Sequence, residues 1–223
     1  MALLASPEKK MKNAVIFGAA SAAALETAGW LAENGWNVKR ISAEMIKGQT
    51  EWPADQAAGQ DAESNALDLL VISMDPPHDL QDGPVGSGHD YDKISERISG
   101  EIGAADLAVE HFLPALEKGE GKRIAFLTDP CASIRRCADR EDFAYHMTLA
   151  GLHMYAKVLY NRLRPEGYTM RLYAVQEGGA EKPPICAGEY FAMNLCYDPQ
   201  EPYIHSEENR FVMRDGWFEE IAW

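Results

Sequence analysis

The feature that most constrains the fold is a regular alternation between short apolar runs and longer helical stretches. The apolar run 13–17 ends at Gly18 and is followed by an alanine-rich stretch, 21–34, with apolar residues at helical spacing. Gly35 is expected to end that helix, and a second strand is predicted at 38–42. The pattern therefore predicts a strand, a helix and a second strand, which together form one βαβ unit.

The same alternation continues along the chain. Further strands are predicted at three apolar runs: 67–74, 123–128 and 170–175. Asp90 is expected to cap a long helix that reaches Leu116, and a second long helix is predicted at about 142–163. The polar segment 47–65 is predicted to be mostly loop. Strands and helices thus alternate over almost the whole length.

This order of elements predicts an α/β fold of the Rossmann type, in which helices cover both faces of a doubly wound parallel sheet. A chain of 223 residues has the length of one such domain, so we predict a single domain at 11–223. Residues 1–10 are interpreted as an N-terminal extension. Ligands in this fold bind beyond the carboxyl ends of the strands, so the residues directly after each strand are the functional candidates.

The acidic composition narrows the range of partners. A formal net charge of −14 repels both nucleic acid and anionic lipid, and no apolar run approaches the roughly 18 residues of a membrane span. We therefore expect neither nucleic acid nor a membrane as a partner. No signal peptide is recognised, so a cytoplasmic protein is expected.

No metal site is predicted from the sequence. The four cysteines show neither C-x-x-C nor zinc-ligand spacing, and they are interpreted as reduced thiols: Cys131, Cys137, Cys186 and Cys196. His146 and His153 share a face of the second long helix, but no third ligand accompanies them. Both are interpreted as ordinary helix residues.

Several segments resemble the short-chain dehydrogenase/reductase family. The stretch Gly18-Ala19-Ala20-Ser21-Ala22-Ala23-Ala24 resembles the family's glycine turn, and Tyr145 begins a helix where the family has Y-x-x-x-K. The segment 164–175 resembles the family's PEGIRVNAV stretch, and Asp215-Gly216 resembles its last turn. The resemblance covers nearly the whole chain and implies a Rossmann fold with NADP or NAD as cofactor.

The resemblance also implies a set of cofactor-binding positions: Gly18, Ser21, Ala22, Ala24, Arg40, Ser42 and Asp75. Ala22 and Ala24 stand where the family has glycines, and the added methyl groups point toward the phosphate or the packing helix, so weak or absent binding is expected. Ser42 replaces the family's ribose-binding acid, and Arg40 nearby favours NADP before NAD. The alternative for Arg40 is a solvent-facing strand residue.

Tyr145 and Asp129 are the candidate catalytic residues by the same resemblance. The family uses a tyrosine as proton donor with a lysine, a serine and an asparagine. Tyr145 matches the tyrosine. Leu149 stands at the lysine position, Asp129 or Thr128 at the serine position, and Gly100 at the asparagine position. A free phenol has a pKa of about 10 and is a poor acid at neutral pH unless a cation stabilises its anion. The alternative for Tyr145 is a tyrosine that only packs against its neighbours, and the alternative for Asp129 is a residue that forms a turn before proline.

Three functions agree with these observations. The first is an NAD(P)-dependent oxidoreductase that acts on a small carbonyl or alcohol substrate. The second is an impaired or repurposed relative that serves as a binding or oligomeric module, and the third is a cofactor-free acid–base enzyme that uses Asp129, His78 and Tyr145. Because apolar residues of the second long helix lie on more than one face, a homodimer or homotetramer is also predicted, with Leu152 in the interface.

Overall fold

The computed structural model describes residues 11–53, 66–73, 83–84, 86–175, 183–193 and 210–223. In this part of the chain, six strands form one parallel sheet in the order β2-β1-β3-β4-β5-β6. The strands are β1 Asn13–Phe17, β2 Asn37–Ile41, β3 Leu69–Ser73, β4 Arg123–Thr128, β5 Thr169–Ala174 and β6 Met213–Arg214. The helices are α1 Ala22–Glu33, α2 Tyr91–Lys118, α3 Phe143–Leu163 and α4 Ala187–Met193.

Helices lie on both faces of this sheet. The apolar residues of α2 and α3 form one core cluster with one face, while those of α1 and α4 form a second cluster with the opposite face. The predicted fold class, an α/β Rossmann-type doubly wound parallel sheet, is therefore confirmed. The predicted extension 1–10 and the candidate residues Asp75 and His78 lie outside the described residues.

The helix boundaries follow local signals in the sequence. Ser21 is the N-cap of α1, and its hydroxyl accepts a hydrogen bond from the Ala24 backbone N–H. Asp90 caps α2 in the same way, because its carboxylate accepts from the Lys93 N–H. Gly35 follows α1 with a φ of 81°, a left-handed conformation that favours glycine at the end of a helix. The predicted boundary residues Asp90 and Gly35 are confirmed, whereas the capping role of Ser21 is shown by the structure alone.

Helix α3 is buried more deeply than its sequence suggested. Leu149, Leu152 and Ala156 pack into the core of their own chain, and Leu152 is only 6% exposed. The prediction that Leu152 lies in an interface between copies is therefore wrong, because the sheet and α2 already cover that face. The exposed apolar side chains of α3 are instead Met147, Met154 and Val158.

None of the helices in the described residues has the combination of length and hydropathy needed to cross a membrane.

Candidate functional site

The strand order reverses between β1 and β3, and in open α/β sheets this is the place where a ligand crevice forms. Gly18 leaves β1 at this point with a φ of 78°. A Cβ atom on Gly18 would lie 1.6 Å from the Ser73 carbonyl oxygen at the end of β3. The turn therefore requires glycine, both for its backbone conformation and for its close approach to β3.

Ser21 links this turn to the strand beneath it. Its hydroxyl caps α1 and also lies 3.0 Å from the Ser73 hydroxyl. The first turn of α1 contains no acidic residue. Because the first amide N–H groups of a helix have no partner within the helix, this end of α1 is suited to an anionic group. Ala22 is exposed here, whereas the Ala24 methyl group is fully buried against the sheet.

Two adjoining clefts meet at Ser21 and Ser73 and together form a groove along the carboxyl ends of the central strands. The first cleft, of about 40 Å³, contains the candidate catalytic residues; its lining includes Ala22, Thr128, Asp129, Tyr145, Leu149 and Val175. The second, of about 170 Å³, contains the cofactor-binding candidates Gly18 and Ser42; its lining also includes Glu44, Lys47 and Glu101. The structure thus brings most of the sequence-predicted residues to one groove.

The second cleft holds an ion pair that the sequence did not reveal. The Lys47 Nζ atom lies 2.7 Å from a Glu101 carboxylate oxygen and 2.5 Å from one of Glu44. Burial alone would lower the pKa of Lys47, but hydrogen bonds to Glu101 and Glu44 outweigh it and raise this pKa. Lys47 therefore stays charged. Ser42 lines this cleft, whereas Arg40 is an exposed residue of the edge strand β2.

Tyr145 and Asp129 are hydrogen-bond partners in the other cleft. The Tyr145 hydroxyl donates to one Asp129 carboxylate oxygen at 3.3 Å, and the second oxygen accepts from the Cys131 backbone N–H at 2.6 Å. Asp129 thus forms a turn and also holds Tyr145. Leu149 is buried beside them, and the described residues that line this cleft include no lysine or arginine.

Thr128 has a buried partner that was not foreseen either. Its hydroxyl lies 2.6 Å from the Nε2 atom of His153 on α3. Burial lowers the pKa of His153 to about 4, so the imidazole is neutral at physiological pH. The hydroxyl that could replace the family's serine is therefore already hydrogen-bonded.

A group of potential metal ligands lies near the start of α3. In the described residues, one ligand atom each from Cys137, Asp139 and His146 lie within 4.8 Å of one another. His146, interpreted from the sequence as an ordinary helix residue, therefore has two further ligand candidates beside it. Their spacing in the sequence matches no familiar motif.

The sequence matches no protein-family model and no curated protein. The structure, however, is similar to solved short-chain dehydrogenases/reductases. A protein from Burkholderia multivorans assigned to this family, crystallised with bound NADP, has a TM-score of 0.64 at 12% identity, with 96% of this chain and 100% of that chain covered. A Caenorhabditis elegans protein assigned as the carbonyl reductase Sniffer has a TM-score of 0.62 at 12% identity and the same coverage.

A 3-ketoacyl-(acyl-carrier-protein) reductase from Brucella melitensis, complexed with NADH, is similar over a smaller part of the chain. Its TM-score is 0.57 at 19% identity, with 73% of this chain and 74% of that chain covered. At such identities the likeness shows the fold alone. The chain has the Rossmann-type fold of the short-chain dehydrogenases/reductases.

Proposed function

We propose that this protein is an NADP- or NAD-dependent oxidoreductase of the short-chain type, acting on a small carbonyl or alcohol substrate with a weakened proton-transfer site. The observation that carries the proposal is the groove, which joins the Gly18 turn and the start of α1 to Tyr145 and Asp129. Solved proteins of the same fold contain NADP or NADH. A cofactor and a substrate would meet where the two clefts join.

The groove suits an anionic dinucleotide at the α1 end. The amide N–H groups of Ala22 and Ala23 would hold the pyrophosphate, with Ser21 keeping the turn in place. Ser42 and Lys47 would lie on the ribose side, although Glu44 and Glu101 compete for Lys47. The nicotinamide, when bound, supplies or accepts the hydride. We expect dissociation constants weaker than micromolar, because Ala22 adds a methyl group where the family has glycine.

The proton for a carbonyl substrate would come from the Tyr145 hydroxyl, which lines the same cleft. This hydroxyl donates to Asp129, so it must turn away from the carboxylate before it can donate to a substrate oxygen. Leu149 offers no positive charge to the phenolate that would remain. Slow turnover follows from this arrangement, because an unassisted phenol is a poor general acid at neutral pH.

Calorimetric titration with NADPH and NADH tests the cofactor. We expect one of them to bind, and Ala22→Asp to weaken binding several-fold by placing a carboxylate in the first turn of α1. Ala32→Asp, an exposed position in the last turn of the same helix, is the matched control and should leave the affinity unchanged. If neither dinucleotide binds at millimolar concentration, the oxidoreductase proposal fails.

Leu149 also favours a second candidate function, a relative that keeps the groove as a binding site but performs no hydride transfer. The two candidates differ in turnover. A panel of small aldehydes and ketones with NADPH or NADH distinguishes them, because the oxidoreductase consumes the reduced cofactor and the binding protein does not. In the oxidoreductase, Tyr145→Phe should lower the rate by less than about tenfold, against the roughly hundredfold or more expected for a fully activated general acid.

A further inference from the structure

The loop between β4 and α3 folds back onto the first turn of α3. This places Cys137 and Asp139 of the loop against His146 of the helix, and one ligand atom of each residue lies within 4.8 Å of the others. Cys137 and Asp139 are exposed and His146 is half-buried. The same part of the loop borders a solvent-open groove of about 510 Å³, which Cys131 and Tyr145 also line.

The orientation of His146 shows which of its nitrogen atoms is available. Nδ1 lies 3.1 Å from the Cys131 carbonyl oxygen, and because a carbonyl only accepts, Nδ1 must carry the proton. In a neutral imidazole the lone pair is then on Nε2. This atom lies 3.3 Å from an Asp139 carboxylate oxygen. With the lone pair on Nε2, two electron-pair donors face each other at that distance, and either a proton or a metal cation between them makes the contact favourable.

A backbone carbonyl that orients the imidazole is also what protein metal sites commonly provide. Histidine ligands usually donate their second ring N–H to a carbonyl or carboxylate, and this fixes the tautomer and the ring direction. The Cys131 carbonyl does this for His146. The arrangement therefore includes both the ligand atoms and the group that holds the imidazole in place.

We propose that Cys137, Asp139 and His146 bind a zinc ion. A thiolate, an imidazole and a carboxylate are the three ligand types that zinc accepts, whereas the thiolate disfavours magnesium or calcium and the carboxylate disfavours copper(I). Ligand atoms around one tetrahedral zinc ion lie roughly 3.3 to 3.8 Å apart, given metal–ligand bonds of about 2.0 to 2.3 Å. Rotation of the exposed Cys137 and Asp139 side chains is sufficient to close the remaining distance.

Three protein ligands leave the fourth position of a tetrahedral zinc ion open to the groove, where a water molecule or a small anion can bind. The ion also joins the loop after β4 to α3. Because this loop carries Asp129 and the helix carries Tyr145, zinc binding orders the elements on both sides of that hydrogen bond. The predicted result is a zinc-stabilised site beside the dinucleotide groove, independent of whether a dinucleotide binds.

Titration of the full-length, metal-free protein with Co²⁺ tests the site, because cobalt replaces zinc and reports its ligands by absorption. We expect one equivalent to bind with a thiolate-to-cobalt charge-transfer band and tetrahedral visible bands, and Zn²⁺ to displace the cobalt. A non-thiol reductant should be present throughout, so that Cys131 and Cys137 stay reduced. Competition with a chelator of known affinity then gives the zinc dissociation constant.

Cys137→Ser should abolish the charge-transfer band. Cys137→Ser and His146→Gln should each weaken zinc binding by at least about a hundredfold, because the loss of a residue that only hydrogen-bonds to a metal ligand already weakens binding by up to about that factor. Cys186→Ser and Glu141→Gln are the matched thiol and carboxylate controls, and both should bind as the unchanged protein does. Circular dichroism verifies the fold of each variant, and Asp139→Asn, on an exposed side chain, is the substitute if His146→Gln unfolds. A cobalt spectrum without a thiolate band, or equal affinity in the ligand variants and controls, overturns the proposal.

Discussion

Gly18 is the position at which an added methyl group should lower the stability of the fold most. Its backbone is left-handed, with a φ of 78°, and its missing Cβ would lie 1.6 Å from the Ser73 carbonyl oxygen. The left-handed conformation costs a non-glycine residue about 1–3 kcal/mol, and forcing extra volume into a packed region costs about 1–3 kcal/mol more. Because the clashing atom belongs to the backbone of a central strand, it cannot rotate away. We therefore expect Gly18→Ala to lower the free energy of unfolding by about 2–6 kcal/mol.

Gly29→Ala is the matched control for this change. Gly29 lies within α1, is exposed, and has no atom within 4 Å of an added Cβ. Alanine in a helix interior is more stable than glycine by about 0.5–1 kcal/mol, so this variant should be slightly more stable than the parent. Urea unfolding followed by circular dichroism measures both, and the two midpoints should move in opposite directions. A loss of less than about 1 kcal/mol in Gly18→Ala would refute the close approach of the turn to β3.

Two further predictions concern His153 and the exposed face of α3. Burial lowers the pKa of His153 to about 4, below the 6.5 of an exposed histidine, so the unfolded chain takes up the proton first and stability falls as the pH drops from 6.5 toward 4. Between pH 7 and pH 4.5 the free energy of unfolding should fall by about 2 kcal/mol because of His153. The urea midpoint should therefore fall less in His153→Gln than in the parent over this pH range, and an equal fall in both proteins would contradict the prediction. The exposed side chains of Met147, Met154 and Val158 predict self-association, so light scattering should give twice or four times the 24.7 kDa chain mass. Met154→Asp should dissociate the oligomer, whereas Leu25→Asp, a control at an exposed position of α1, should not. If the parent protein is a monomer, the proposed interface on α3 is excluded.

Elements with local signals could be predicted from the sequence. The first strand, the turn at Gly18 and the helix boundary residues Gly35 and Asp90 lie where they were expected, because each is specified by its immediate neighbours. The continuous apolar run of β4 was equally informative, since a strand buried on both faces needs no alternation.

The contacts that define the site depend on residues far apart in the chain, and sequence spacing does not reveal them. Lys47 meets Glu101 only because the segment after β2 contacts helix α2, which is far from it in the sequence. His146 meets Cys137 and Asp139 because the loop after β4 reverses, which no ligand motif indicates. Ser73 is the one missed residue with a usable signal, since it ends the strand beside β1. The error on Leu152 has a similar cause: the faces that α2 and the sheet would cover were not known.

The hydrogen bond between Ser21 and Ser73 has a consequence for the speed of ligand binding. A phosphate-binding turn that is loose in the free protein must become ordered in the complex, and the lost entropy slows association or weakens it. Here the turn is already fixed to β3 by a side-chain contact and by the approach of Gly18 to the same residue. An incoming anion therefore finds the amide groups in their bound arrangement, so backbone shifts on binding should stay below about 1 Å at this turn. Any slow step in ligand capture has to arise elsewhere in the groove, for example in breaking the ion pair between Lys47 and Glu101.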